Sequence, residues 1–447
     1  MSKKVSEYFK NELSDYSAYA TIRQISNYID GLKNSQRKII WTALKKLNSE
    51  VKVSQFDSRM QEFTSYLHGS SDGVITNMSS DYVGSNNLPL LKGHGNFGSR
   101  FVNDPAASRY IYVSKPKYLE NIFDIQDVLI NQTFEGDPIE PKFLVPNIPL
   151  ILVNGSMNCV SSGFKQHILP RDLNEILKYY ENRKCNLNPY FKGFNGYVLN
   201  GEDQNQFLIT GVIEKTSKSN KIIISEIPVF YEYQKYLSIL EDLVDNKKIK
   251  EYTDLSNTKT QEYRFEVKLF EDFNEKSQKK IYELLKLVSK EFEIYNCIDE
   301  NNKVRTFKDV KEILDSFREI RLEYVEKQRL FDIEQLSKVL RILSSKYMFV
   351  LMIIEEKLKV YKRPKAEIKE DLKKTDLEVN DDYEYLLKMP IHSFTKETLE
   401  ILQNQIKEVN SKISELKKQD NNVKFIQDIK NTLKEIKWSE LVHFHYV

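Results

Sequence analysis

The chain has 447 residues, 40% of them hydrophobic and 30% charged, with a formal net charge of +2. That length accommodates two to four domains of ordinary globular composition, and no run of about 18 apolar residues marks a membrane-spanning helix. The opening residues, MSKKVSEYFK, lack the apolar core of a secretory signal, and Cys159, Cys185 and Cys297 are too scattered for a disulfide frame or a zinc motif. A reducing, cytoplasmic setting is therefore expected. The near-neutral total conceals an asymmetry, because residues 1–118 hold 16 Lys and Arg against 10 Asp and Glu. A phosphate-tracking surface needs such a local excess, though a solvated face produces one as well.

Tyr16, Tyr19, Ile22, Ile25 and Ile29 recur at helical spacing and predict a helix over 11–29. Asp30-Gly31 signals a turn, and Ser35 is placed to cap a helix beginning at Gln36. Lys33, Arg37 and Lys38 would then project from its first turn, where a helix end already favours anions. A capped surface helix with ordinary lysines accounts for the same pattern. Two short helices are expected within 52–82, on either side of Ser65-Tyr66-Leu67-His68-Gly69-Ser70-Ser71-Asp72. Then comes a loop rich in glycine, Lys92-Gly93-His94-Gly95-Asn96-Phe97-Gly98-Ser99-Arg100. Pro105-Ala106-Ala107-Ser108-Arg109 leads from it into a short strand, Tyr110-Ile111-Tyr112-Val113.

Further on, residues 147–172 carry Asn154-Gly155, Gly163 and Ile168-Leu169-Pro170. Strands are expected at 207–210, 221–225 and 263–267, and helices near 231–248 and 275–290. From 309 to 361 the chain reads as helix. Apolar positions 313, 317, 320, 324 and then 336, 340, 343, 347 mark a coiled-coil seam interrupted near Gln328. Residues 364–382 suggest a short helix and a loop. Leu399, Leu402, Ile406, Val409, Ile413 and Leu416 mark a returning helix, and 418–447 are less regular. The expected fold class is α+β and multidomain, divided at 1–150, 151–308 and 309–447.

A tyrosine phenol, with a pKa of about 10, can attack phosphorus and later depart. A guanidinium beside it can hold the phosphate and its developing charge. Most of the 26 tyrosines must serve packing, so Arg109-Tyr110 alone says little. The longer pattern is more specific. Gly93 to Ser99, with Ala106-Ala107-Ser108-Arg109-Tyr110, resembles the active-site segment of the breakage-rejoining subunit of type IIA DNA topoisomerases. Asp30 to Arg37 is similar to that family's DGLKPVQR motif, with Asn34 in place of proline. The segment Ser65 to Asp72 resembles its Tyr-His-x-His-Gly segment, with His68 as the histidine before the glycine and the pattern's first histidine missing (Leu67). Ser225-Glu226-Ile227-Pro228 is similar to its Thr-Glu-Ile-Pro. The pattern is also similar to the short form found in T-even-like bacteriophages, a separate medium subunit.

By this resemblance Tyr110 forms a 5′-phosphotyrosyl bond to DNA, with Arg109, Arg23 and His68 stabilising the charge on phosphorus. Asp30, Lys33 and Arg37 inherit the phosphate-gripping segment, and Lys38 extends it. Counting back three from Gly163 puts Val160 at the position of an apolar side chain that unstacks a base step and bends DNA. Cys159 is its rival, because the loop is one residue longer than the family pattern. The implied architecture is a winged-helix domain with the catalytic tyrosine, an α/β tower, and a long antiparallel coiled coil ending in a small helical dimerisation tip. The implied partners are double-stranded DNA, a second copy of this chain joined through its C-terminal coiled-coil region, and a large subunit with ATPase and Toprim domains. That subunit would bind ATP and hold most of the Mg²⁺. Glu135-Gly136-Asp137 resembles a Toprim motif, but no later Asp-x-Asp accompanies it, so no metal site is assigned here. No wrapping domain or ATPase motif is seen either, and no membrane partner is expected. The implied reaction passes one duplex through another, relaxing or decatenating DNA, in a bacterial host cytoplasm if the chain is phage-encoded. Two rival readings remain beside it. One is a non-catalytic winged-helix and coiled-coil scaffold, favoured by Leu67 and the divergent 156–162 segment. The other is a cellular enzyme acting mainly in decatenation.

Overall fold

Five consecutive buried residues, Ile25 to Ile29, decide how the N-terminal region is built. In the computed structural model, which describes residues 5–182, 184–216, 220–270, 277–375, 377 and 383–438, the first long helix is Glu12–Gln24. It stops short of the expected 29 because Ile25 turns extended. The chain then lies against another segment: Asn27 forms a parallel bridge with Ile298, and the Tyr28 N–H donates to the Ile298 carbonyl at 3.1 Å. The next helix, Asn34–Lys46, begins two residues before Gln36. Gln36 rather than Ser35 closes its start, its side chain accepting from the Lys33 N–H at 2.9 Å.

Helices Val53–Phe63 and Asp72–Ser79 follow as expected. A three-stranded antiparallel sheet completes this region, with Tyr112–Ser114 between Val51–Lys52 and Lys92–His94. Tyr110 precedes the strand. It sits in a turn, its N–H donating to the Ala107 carbonyl at 2.8 Å. Close approach requires glycine at Gly31 and Gly98. A Cβ on Gly31 (φ +67°) would meet the Ile151 nitrogen at 2.4 Å, and one on Gly98 (φ +89°) would meet the Asn103 oxygen at 2.4 Å. The first contact presses the Asp30-Gly31 turn onto the buried helix Leu150–Val153.

Between 197 and 298 lie two antiparallel sheets. One runs Val212–Lys215, Lys221–Glu226, Phe265–Lys268, Glu251–Asp254 in spatial order, and the other Val288–Phe292, Gln206–Thr210, Tyr197–Asn200. Ile222, Ile224, Phe265 and Val267 share one core with Tyr236 and Leu240 of helix Tyr233–Asp245 and Ile281 of helix Gln278–Leu284. The helix expected at 275–290 ends at Leu284, and residues 275 and 276 lie outside the described residues. Lys286 takes φ +55°, which breaks the helix, and Val288–Phe292 pairs with Gln206–Thr210 instead.

The chain divides into two compact units, Met1–Arg321 with Phe425–Val447, and Leu322–Lys424. The division at 321 and the expected boundary at 308 fall thirteen residues apart, near the start of one helix, Val310–Ile354, which runs unbroken through Gln328. Of its first apolar group Ile313, Phe317 and Tyr324 are buried, whereas Leu336, Leu340, Leu343 and Tyr347 are half-buried. In the second unit this helix meets Lys396–Lys418 in antiparallel order. Arg329 Nη1 donates to the Leu416 carbonyl at 3.2 Å, and the Phe349 and Phe394 rings are 6.0 Å apart. Leu402 and Ile413, both on the expected stripe, are its buried positions. Phe349, Leu358, Ile368, Leu372 and Leu386 form a separate core at the far end. The short helix expected in 364–382 is Lys365–Leu372; residues 376 and 378–382 lie outside the described residues. The stretch 418–447, expected to be less regular, contains helix Asn421–Glu435, and residues 439–447 lie outside the described residues. Phe425 and Ile429 are fully buried there. Arg321, also fully buried, donates to the Val145 carbonyl and pairs with Asp124 and Asp428. Among the described residues no helix is long and apolar enough to cross a membrane.

Candidate active site

Tyr110 is 67% exposed, and Arg109 is exposed beside it. The guanidinium lies 4.8 Å from the phenol ring centroid, in cation–π range. The loop that delivers this pair is braced at several points. Ala106 N–H donates to the Asn96 carbonyl at 3.0 Å, and Ser80 Oγ donates to the Phe97 carbonyl at 3.1 Å. Arg100, at the loop's end, is buried. Its Nη1 reaches Glu226 Oε1 at 2.6 Å and its Nη2 the Ile227 carbonyl at 3.0 Å. The Tyr263 hydroxyl donates to the Arg100 carbonyl at 3.0 Å. Thus the glycine-rich segment and Ser225-Glu226-Ile227-Pro228, 126 residues apart, are one construction. Sequence reasoning noted both segments and missed the link between them. A carboxylate ending an otherwise apolar strand was the available signal, since a buried charge needs a partner.

Arg23 and His68 form a second group. Arg23 stands in the last turn of Glu12–Gln24, one turn beyond Tyr19. Its guanidinium carbon is 5.4 Å from the Tyr19 ring centroid. The Tyr19 hydroxyl is 2.5 Å from His68 Nε2, and the Tyr66 ring meets the imidazole edge-on at 5.6 Å. Asp57 holds the far end of this loop, accepting from Ser70 Oγ and from the Ser71 N–H, each at 3.1 Å. Among the described residues no hydrogen bond, ion pair or ring contact joins Arg23 or His68 to Arg109-Tyr110 within one chain.

The basic first turn is different from expectation. Asp30 is fully buried and accepts from Arg37 Nε at 2.6 Å, Arg37 Nη2 at 3.2 Å, and the Leu32 and Leu144 N–H groups at 3.0 Å each. Arg37 is 6% exposed and Lys38 8%. Lys38 Nζ donates to the Thr64 carbonyl at 2.7 Å and to Glu140 Oε2 at 2.8 Å. Burial pushes the Glu140 carboxyl up from its ordinary value, and Lys38 pulls it partly back. Arg37 and Lys38 therefore point inward, because two buried carboxylates need their charges. Lys33 alone of the three stays half-exposed. With Gln36, Asn77, Asn154 and Ser156 it lines a cavity of about 340 Å³.

Ser156–Val160 and Lys165–Ile168 form a hairpin. Cys159 is 2% exposed and lies against Ser156 Oγ at 3.3 Å, whereas Val160 is 61% exposed at the tip. Phe164, across the turn, is 40% exposed. Ser161 Oγ donates to Thr21 Oγ1 at 2.9 Å, fastening the tip to the Arg23 helix. Glu135-Gly136 is an exposed turn between Thr133–Phe134 and Asp137–Pro138, with Asp137 opening the second strand. Among the described residues no three or more His, Cys, Asp or Glu cluster as metal ligands.

The family model for the A-type chain of DNA gyrase/topoisomerase IV matches residues 23–434, and the protein belongs to that family. Its fold is that of a type IIA topoisomerase cleavage domain: it matches the solved DNA-binding, cleavage and re-ligation domain of Plasmodium falciparum topoisomerase II with a TM-score of 0.83 and 29% identity, over 97% of this chain and 64% of that one. It is 32% identical over 426 residues to the mitochondrial DNA topoisomerase 2 of Dictyostelium discoideum, covering 90% of this chain and 33% of that one. It is 28% identical over 439 residues to DNA topoisomerase 2 of Invertebrate iridescent virus 6, covering 93% and 37%. The chain thus spans about a third of the length of these curated relatives.

Proposed function

We propose that this chain is the DNA-cleaving and rejoining part of an ATP-dependent type II topoisomerase, with Tyr110 as nucleophile. The observation that carries the reading is an exposed phenol beside an exposed guanidinium, at the end of a braced loop, in a chain of this family. The Tyr110 oxygen forms a bond to a DNA phosphorus while the bond to the 3′ oxygen breaks. The phenol proton is released and the departing oxygen is protonated, leaving a 5′-phosphotyrosyl ester and a 3′ hydroxyl. The ester keeps the bond's free energy, so the hydroxyl reseals the strand without ATP. Arg109 holds non-bridging oxygens as charge builds on them, and Arg23 and His68 supply further donors.

In this reading the helices between 34 and 79 with the three-stranded sheet are a winged-helix domain, the two sheets of 197–298 a tower, and the antiparallel helices of the second unit a coiled coil. Ile391 and Tyr361, 88% and 80% exposed in that unit, support a second copy docking there. A separate large subunit holds Mg²⁺ and ATP, as in the phage-type enzymes, and the site of action is the cytoplasm, that of a bacterial host if the source is a phage. Trapping a covalent protein–DNA adduct in wild type and in Tyr110→Phe tests the reading.

Two surface residues give smaller, separable predictions. Lys33 is the half-exposed cation of its turn, so it contacts a phosphate. Lys33→Ala should weaken duplex binding at low salt and reduce the slope of log affinity against log salt by about 1; an unchanged slope removes Lys33 from the interface. Val160 is the apolar tip that enters a base step. Val160→Ala should straighten the bound duplex, read as a longer end-to-end distance between fluorophores on its two ends. An unaltered distance would leave Val160 outside the bend.

A further inference from the structure

One aromatic side chain touches both of the groups placed on the Arg23 side of the site. Tyr19 lies one turn before Arg23 on Glu12–Gln24. Its ring is under the Arg23 guanidinium at 5.4 Å, and its hydroxyl is 2.5 Å from His68 Nε2. Tyr19 is 48% exposed, so burial of its ring is not what this position provides. It makes no other hydrogen bond among the described residues.

His68 has little else to orient it. It is exposed, on a loop with positive φ at Ser65 and Gly69, and the Asp57 anchors lie beyond it at Ser70 and Ser71. Tyr66 packs against the imidazole edge and offers it no hydrogen bond. A neutral imidazole on such a loop exchanges between two tautomers and turns about its side-chain bonds. A phenol that donates to Nε2 selects the tautomer with its proton on Nδ1 and fixes the ring plane. The same ring offers its negative face to Arg23 and limits where that flexible side chain can go. Arg23 and the loop-borne His68 are then both held against one residue of the Glu12–Gln24 helix.

We propose that Tyr19 is a positioning residue of the cleavage reaction, setting the tautomer and orientation of His68 through its hydroxyl and the placement of Arg23 through its ring. This rests on the topoisomerase reading above. Two measurements separate the two claims. In the full-length chain labelled with ¹⁵N-histidine, His68 is one of six histidines and is assigned by its loss in His68→Ala. Its ¹⁵N shifts should report one tautomer in the wild type and a mixture in Tyr19→Phe. In the complete enzyme with Mg²⁺, Tyr19→Phe should slow detergent-trapped adduct formation about tenfold, the worth of one hydrogen bond, with DNA affinity unchanged. Tyr19→Ala should slow it further, and Tyr19→Phe should have no effect in a His68→Ala background. A His68 tautomer that is the same in wild type and Tyr19→Phe overturns the positioning role, as does an undiminished adduct rate. A tautomer that responds to Tyr19→Phe in a wild-type chain that never forms an adduct overturns the topoisomerase reading instead.

Discussion

Tyr110→Phe is expected to abolish the covalent protein–DNA adduct while leaving the fold and DNA binding intact. The substitution removes a single oxygen from a side chain that is 67% exposed. The ring stays, and with it the stacking of Arg109 at 4.8 Å. Among the described residues the Tyr110 hydroxyl makes no hydrogen bond, so the stability change should be within about 0.5 kcal/mol, as for surface substitutions generally. The chemical loss is of another order. Without a nucleophilic oxygen there is no ester, and the rate should fall by on the order of 10⁴ or more. The assay combines the chain, the partner that supplies the Mg²⁺ and ATPase functions, and end-labelled duplex, quenched with detergent. An adduct on this chain in wild type only fixes nucleophile and reaction class together. An adduct that persists in Tyr110→Phe moves the nucleophile elsewhere, with the 37% exposed Tyr112 the nearest alternative. No adduct in either, with tight binding retained, leaves a DNA-binding scaffold.

The exposed Arg109-Tyr110 pair at the end of the glycine-rich loop was legible in the sequence because its parts are contiguous. Glycine spacing, Arg109 and Tyr110 lie within one short stretch, and local chemistry sets their exposure. The returning helix of the second unit was legible for a similar reason: one stripe of Leu and Ile meets one partner. What was not legible depends on distant partners. Arg37 and Lys38 read as surface charge until Asp30 and Glu140 come to them, the latter from 102 residues away. Val160 and Cys159 could not be told apart by counting, because Asn158 takes φ +54° and the hairpin register shifts between Ser156 and Cys159. That irregularity, rather than strict alternation, decides which side chain faces out. Helix Asn421–Glu435 was hidden because its buried face includes Thr432, which hydrogen-bonds to Asn147 at 2.9 Å. A polar residue on a buried face blurs the apolar period on which a helix is read.

Asp30→Ala should be the most damaging single change to the N-terminal region, at about 3–5 kcal/mol. The carboxylate is fully buried and answers four donors, two on Arg37 and the Leu32 and Leu144 N–H groups. Its removal strands a guanidinium that is only 6% exposed and cannot reach water without opening the Asn34–Lys46 helix start. It also releases the segment at Leu144, 114 residues away, from the turn it is tied to. A loss of this size should lower the thermal midpoint by on the order of 10 °C. Asp30→Asn should cost less, since an amide oxygen still accepts, but the charge on Arg37 stays uncompensated. The same measurement decides what Arg37 is for. If it gripped DNA, Arg37→Ala would flatten the salt dependence of binding by about one unit and leave the melting curve in place. As part of the frame it should do the reverse, lowering the midpoint and leaving the slope of the folded protein unchanged. Lys33→Ala, carried alongside, should move the slope and not the midpoint. Opposite responses from residues four apart on the same turn follow from one difference, that Asp30 neutralises Arg37 inside the protein while Lys33 keeps its charge for the solvent side.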